Sequence, residues 1–188
     1  MAFAFSELSP VYFCRMQTDA IGQILPEDFN YQSRVWIYQS SRRFTEEQQK
    51  EIDEQLYQLY SQWTTHGAPV KGWPKLIFGQ FIVVLADETG SNVSGCSTDG
   101  MVRIVKSIER QYDTNLFDRL TLTFLVKGEP QMLPMGQVQY AIDKGYLDGD
   151  TLLFNNTVAT KGELEDKWLV PLKGSWLAGR VNFPESAG

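Results

Sequence analysis

Two apolar runs joined by a glycine-containing turn constrain the fold of this chain more than any other feature. Residues 75–78 and 81–86 are dominated by apolar side chains, and Gly79-Gln80 lies between them. Glycine in the first position of a two-residue connection is typical of a type II′ hairpin turn. The pattern therefore predicts two antiparallel strands rather than one long strand, and the placement of later elements depends on this reversal.

The segment before this hairpin predicts a strand followed by a helix. Residues 34–39 have the β-branched and aromatic composition of a strand. Thr45 and Gln48 have the spacing of a capping box at a helix start. Apolar side chains then recur every three or four residues, at Ile52, Leu56, Leu59, Tyr60 and Trp63. Gly67 predicts the end of this helix beside His66.

The segment after the hairpin predicts a second helix and a further strand. The helix has one apolar face, which carries Met101, Val105, Ile108 and Tyr112. The strand is predicted over residues 120–125. The resulting order of strand, helix, strand, strand, helix and strand is that of the ferredoxin-like βαββαβ arrangement. We therefore predict an α+β fold with a four-stranded antiparallel sheet and both helices on one face.

The two ends of the chain differ from this central part. Residues 1–33 show no clear period and predict an N-terminal arm that precedes a ferredoxin-like domain over 34–126. Residues 127–188 predict a small C-terminal α+β extension or subdomain. Short strands are expected near 151–154 and 168–170. A short helix that ends at Gly145 is indicated by Met135, Val138, Ile142 and Tyr146.

Composition argues against several functional classes. The formal net charge of −6 opposes binding to nucleic-acid phosphates. The chain has no signal-peptide pattern at its start and no apolar run near the ~18 residues that span a bilayer. Two cysteines do not make a disulfide framework for a chain of this size, so the sequence predicts a cytoplasmic protein with reduced thiols.

The segment between the third predicted strand and the second predicted helix is the main candidate site. A helix start rich in glycine and small hydroxyls exposes backbone N–H groups at the positive end of the helix dipole. A cysteine in this position tends to have a lowered pKa. The hairpin would bring His66, Asp87 and Glu88 to the same end of the domain. The segment itself consists of Ser94, Gly95, Cys96, Ser97, Thr98 and Asp99.

Three functions are compatible with this site and with the C-terminal region. The leading hypothesis is a non-catalytic binding protein that holds a small anionic ligand or a partner segment. Its polar pocket would be lined by Ser94, Gly95, Ser97, Thr98, Asp87 and Glu88. An alternative is a cysteine-dependent hydrolase or transferase, with Cys96 as nucleophile, His66 as base, and Asp99 or Asp87 orienting the imidazole. A second alternative is a protein-interaction module whose apolar patch includes Trp168, Leu169 and Trp176.

The residues favour neither a metal site nor a cofactor. Two cysteines and one histidine cannot form a structural zinc site. Asp87, Glu88 and Asp99 offer the oxygen ligands of a magnesium site, but acidic loop residues are common without a metal. We therefore predict no metal and no cofactor. Ferredoxin-like sheets often form dimers, so a homodimer is an open alternative.

Most of residues 34–176 resembles an uncharacterised bacterial family whose members often carry the label "ABC transporter ATPase". The similarity lies in Trp63–Gly67, Phe81–Glu88, Ser94–Asp99, Phe117–Arg119, Thr151–Lys161 and Ser175-Trp176. A P-loop requires a Gly-Lys-Ser/Thr sequence to hold phosphates, and this chain has no Gly-Lys pair. The resemblance therefore implies a cytosolic protein of unknown role rather than an ATPase. Residues 134–152 are also similar, in a few positions, to GYF-like adaptor domains, which bind proline-rich peptides.

Overall fold

The computed structural model describes residues 21–65, 67–89 and 95–184. These residues form two compact units. The first contains described residues of 26–119 and 156–164, and the second contains 21–25, 120–155 and 165–184. Most of the predicted arm, 1–33, lies outside the described residues, and the predicted domain boundaries stay predictions. The fold is α+β with antiparallel sheets, as the sequence indicates.

The first unit is built around a three-stranded antiparallel sheet. In chain order its elements are β1 (Arg34–Gln39), α1 (Glu46–Gln62), β2 (Thr64–Thr65), β3 (Ala68–Pro69), β4 (Lys71–Ile77), β5 (Phe81–Asp87) and α2 (Gly95–Gln111). The strand order of the sheet is β1-β5-β4, so the second arm of the hairpin is its central strand. The predicted first strand and the Thr45–Gln48 capping box are confirmed.

The hairpin is also confirmed, with a different turn. Strands β4 and β5 pair in antiparallel register from Lys71–Asp87 to Ile77–Phe81. The Gln80 N–H donates to the Ile77 carbonyl at 3.1 Å, so Phe78 and Gly79 are the central residues of the turn. Their φ angles are 54° and 63°, as in a type I′ turn rather than the predicted type II′ turn.

Helices α1 and α2 pack against one face of this sheet and form its core with it. The predicted apolar face of α2 is confirmed, because Met101, Val105 and Ile108 are buried, and so is Tyr112, the residue after the helix. Side chains from the sheet and from both helices meet in one cluster, which includes Tyr38, Leu76, Ile82, Val84, Ile52, Leu56, Met101, Val105 and Ile108. Tyr60, which the periodicity assigned to the buried face, is exposed.

Helix α1 ends at Gln62, four residues before the predicted end. Trp63 is extended, with a ψ of 112°, and its carbonyl accepts the Val70 N–H at 2.9 Å. Its ring lies against Gly72, where an added Cβ would be 2.5 Å from the Trp63 Cε3. A long-range contact therefore stops the helix, and Gly67, with a φ of 82°, belongs to the turn between β2 and β3.

The ferredoxin-like topology is not confirmed, because the predicted fourth strand pairs elsewhere. Residues 121–126 belong to the sheet of the second unit. The place beside β1 is used instead by the segment 156–161. There the Val35 N–H donates to the Ala159 carbonyl at 2.9 Å, and the Lys161 N–H donates to the Ser33 carbonyl at 2.8 Å.

The second unit has a four-stranded antiparallel sheet and a short helix. Its elements are β6 (Thr121–Val126), β7 (Glu129–Pro134), α3 (Val138–Asp143), β8 (Leu152–Phe154) and β9 (Leu169–Pro171). The strand order is β7-β6-β8-β9. The predicted helix before Gly145 and the two predicted short strands are confirmed to within a few residues. The apolar core of this unit includes Phe124, Val138, Ile142, Leu153, Leu172 and Leu177. The helix α4 (Lys161–Lys167) precedes β9, and its first four residues belong to the first unit.

Candidate functional site

The predicted site at the end of the first unit is described only in part. His66 and Ser94 lie outside the described residues, and so do the side chains of Cys96 and Ser97. The backbone from Gly95 onward is already helical, so most of the predicted loop is the first turn of α2. The pairing of Cys96 with His66 therefore stays a prediction.

Asp87, at the end of β5, is held by several donors. Its Oδ1 accepts the Thr89 backbone N–H at 3.1 Å and the Thr89 hydroxyl at 2.7 Å. Its Oδ2 accepts the Asn30 N–H and the Lys71 ammonium, each at 3.4 Å. Burial alone would raise the pKa of Asp87, but these hydrogen bonds outweigh it and hold the pKa below its ordinary value.

These contacts favour a structural role for Asp87. Both carboxylate oxygens are engaged, and Lys71 also contacts the carboxylate of Asp28 at 3.2 Å. Lys71 further lies over the ring of Phe29, 4.6 Å from its centroid. The cluster thus fastens the segment before β1 to the ends of β4 and β5.

The remaining predicted residues of this site differ in exposure. Asp99 is exposed on α2, one turn after the helix start, whereas Thr98 and Glu88 are partly buried. Thr98 and Glu88 both have polar or electrostatic partners. In the described ranges no group of three His, Cys, Asp or Glu side chains could hold a metal ion. The described helices include none that is long and apolar enough to cross a membrane.

The second unit contains a groove that sequence reasoning did not identify. It has a volume of about 420 Å³ and lies between the β6–β7 hairpin and the end of α3. Its walls are mostly apolar, and they are formed by Phe124, Val126, Lys127, Gln131, Met132, Leu133, Ala141, Gly145, Tyr146 and Leu147.

Tyr146 is the exposed aromatic residue of this groove. The chain reverses after α3 at Gly145, which has a φ of 70°, and the Tyr146 N–H donates to the Ala141 carbonyl at 2.9 Å. The reversal leaves 71% of Tyr146 exposed while the neighbouring Leu147 is buried. The apolar periodicity placed Tyr146 on a buried helix face, so this exposure was missed.

The outer edge of β7 has few hydrogen-bond donors. The Met135 N–H donates to the Leu120 carbonyl at 2.8 Å, so odd-numbered residues of β7 bond to β6. The backbone groups of the even-numbered residues therefore point toward the free edge of the sheet. These residues are Pro130, Met132 and Pro134. Only Met132 carries an N–H there, because proline has none.

The apolar patch predicted around Trp168 does not form as expected. Trp168 and Leu169 are buried, and the Trp168 ring packs edge-on against Phe154 with centroids 5.4 Å apart. Trp176 is 38% exposed, and the Arg180 guanidinium lies over its ring at 5.3 Å. The predicted tryptophan patch is therefore not formed by Trp168 and Leu169, and the groove at Tyr146 is a different apolar surface of this region.

Comparison with known proteins does not assign this chain to a family. No protein-family model, no curated protein and no solved structure matches it.

Proposed function

We propose that this chain is a non-catalytic binding protein, and that the groove at Tyr146 binds an extended, proline-containing segment of a partner protein. The main supporting observation is an apolar groove bordered by a tyrosine that is 71% exposed. A groove in this part of the chain supports the hypothesis of an interaction module in the C-terminal region.

The groove has the size and chemistry of a recognition site for a few side chains. Ligand pockets in proteins usually have volumes of about 300–1,000 Å³ and mostly apolar walls with few polar groups. Apart from the Tyr146 hydroxyl, the polar side chains here are those of Lys127, in the β6–β7 turn, and Gln131, on β7, and both are exposed. Tyrosine adds a rigid apolar ring and one hydroxyl, and it is enriched at protein interfaces.

The edge of β7 favours a ligand that does not need backbone pairing. An added β-strand would require alternating N–H and carbonyl groups, and Pro130 and Pro134 remove two of the three outward donors. A polyproline II segment has no internal hydrogen bonds and docks into aromatic-lined grooves through its side chains. The similarity of residues 134–152 to adaptor domains that bind proline-rich peptides supports the same ligand class.

Selection from two peptide libraries tests this proposal. One library has ten-residue peptides with a fixed central Pro-Pro and random flanks, and the other has random peptides without proline. We expect enrichment from the proline library on the wild-type chain, and at least tenfold weaker binding of the selected peptides to Tyr146→Ala. Tyr57→Ala is the matched control, because Tyr57 is 69% exposed on α1 in the first unit.

Two outcomes would contradict the proposal. One is equal enrichment from both libraries, or from neither. The other is equal affinity of the selected peptides for wild type and Tyr146→Ala. Binding that is lost in Tyr57→Ala instead would move the interaction surface to the first unit.

The other functional hypotheses stay predictions. These are the polar pocket at 94–99, the thiol chemistry of Cys96 and His66, and the relationship to the uncharacterised bacterial family. A cytoplasmic location and a homodimer also stay predictions.

A further inference from the structure

Prolines lie on three of the four outer strands of the two larger sheets, namely β4, β7 and β9. On each of these strands the prolines occupy positions whose backbone points away from the neighbouring strand. In an antiparallel ladder, alternate residues direct their backbone N–H groups toward the neighbouring strand or away from it. A proline in an outward position costs the ladder no hydrogen bond and removes one donor from the free edge. The direction of each proline can be derived from the hydrogen bonds beside it.

Pro74 faces outward on β4. The Ser40 N–H donates to the Gln80 carbonyl at 2.8 Å, which assigns the even-numbered residues of β5 to pairing with β1. The odd-numbered residues of β5 and β4 therefore pair with each other. The even-numbered residues of β4 face the free edge, and Pro74 is one of them.

The other outward positions of β4 are also blocked. The Leu76 N–H donates to the Asp53 carboxylate at 3.4 Å, and the same carboxylate contacts Lys75 at 3.2 Å. Gly72 lies under the Trp63 ring. This edge therefore offers little to an incoming strand.

The second unit repeats the arrangement on both of its outer strands. On β7, Pro130 and Pro134 face outward. On β9, the Leu172 N–H donates to the Thr151 carbonyl at 2.9 Å, so Val170 and Leu172 pair with β8. Pro171 therefore faces outward.

The remaining outer strand, β1, has a different cover. Residues 159–161 pair with its start, as the hydrogen bonds of Val35 and Lys161 show. The Gln39 side chain also accepts the Asn156 amide N–H at 2.9 Å. In the described part of the chain, three of the four outer strands of the two larger sheets thus carry an outward proline, and β1 is paired with residues 159–161 at its start.

We infer that both larger sheets are closed to strand addition, so that neither a second copy of this chain nor an extended partner strand pairs with them. Free edges of sheets are templates for association, and proline at the edge is one way in which proteins prevent it. The inference stands whether or not the groove binds a peptide. It excludes a homodimer formed by joining two sheets edge to edge.

Restoring donors to an edge tests this inference. The double variant Pro130→Thr/Pro134→Thr gives β7 three outward N–H groups in a row. Sedimentation velocity over rising concentration should show a larger species for this variant than for wild type. Pro184→Thr, at an exposed proline outside the strands, should sediment as wild type does. Amide exchange at Met132 should be fast in wild type and slower in the associated variant.

The inference is overturned if the double variant keeps the wild-type circular dichroism spectrum and sediments as wild type does. Slow, concentration-dependent exchange at Met132 in wild type would also overturn it. If the double variant loses its folded spectrum, the single variants Pro74→Thr and Pro171→Thr decide by the same sedimentation measurement, on two other edges.

Discussion

The two units cover their sheets to different extents. In the first unit, α1 and α2 have 17 residues each and pack side by side on a three-stranded sheet. In the second unit, α3 has six residues and leaves a groove beside the β6–β7 hairpin. A long amphipathic helix buries a wide apolar stripe, whereas a short one cannot. A binding surface can therefore arise where the helix is too short to cover the whole face of its sheet.

The largest expected effects are on the free energy of unfolding, and they come from substitutions in the two cores rather than in the groove. Leu56→Ala in the first unit and Leu172→Ala in the second remove fully buried side chains, so each should lower the free energy of unfolding by about 2–5 kcal/mol. Tyr146→Ala should change it by about 0.5 kcal/mol or less, because most of the side chain is already exposed. Urea denaturation followed by circular dichroism measures all three.

The comparison between core and groove fails if Tyr146→Ala destabilises the chain as much as Leu172→Ala does. Tyr146 would then be a packing residue, and the groove would be closed in solution. A small effect of Leu172→Ala would instead show that the second unit is loosely packed throughout.

A smaller effect concerns Asp87, at the end of β5 in the first unit. Because hydrogen bonds lower the pKa of Asp87 in the folded chain, its ionised form stabilises the fold at pH values above its unfolded pKa of about 3.9. This stability should be lost as the pH falls from about 4 through the lower folded pKa. Asp87→Asn should therefore be less stable than wild type at pH 7, and the difference should shrink in acid.

Denaturation at pH 7 and at pH values below 4 measures this linkage. Thr89→Ala removes one of the donors to Asp87 and should give an intermediate difference. A constant difference between wild type and Asp87→Asn at all pH values would show that the ionised carboxylate adds nothing to stability. Asp87 would then be open for the ligand-binding role that the sequence suggests.

Local sequence signals predicted the elements of this fold better than their ends and partners. The strand 34–39, the Thr45–Gln48 cap and the apolar face of α2 depend on neighbouring residues, and all three are confirmed. The end of α1 depends on the contact between Trp63 and Gly72, which are nine positions apart. The partner of strand 121–126 depends on which segment takes the place beside β1.

The same distinction applies to the candidate sites. A carboxylate at the end of a strand is visible in sequence, but its donors Asn30 and Lys71 come from distant segments. Tyr146 fits the apolar period of a helix, yet α3 ends at Asp143. Gly145 predicted the reversal of the chain, and it was the signal that could have placed Tyr146 outside the helix.

The smallest expected effect concerns the reactivity of the Cys96 thiol. It tests whether the site at residues 94–99, rather than the groove at Tyr146, carries the function. The backbone of Cys96 lies in the first turn of α2, where the helix dipole stabilises a thiolate, and Cys14 has no predicted helix start beside it. Iodoacetamide near pH 6.5 should therefore label Cys96 several-fold faster than Cys14, as measured by mass spectrometry of the digested chain. If His66 acts as the base, His66→Gln should slow the labelling of Cys96 alone. Equal, slow labelling of both cysteines would remove the thiol enzyme from consideration and leave binding at the groove as the function to pursue.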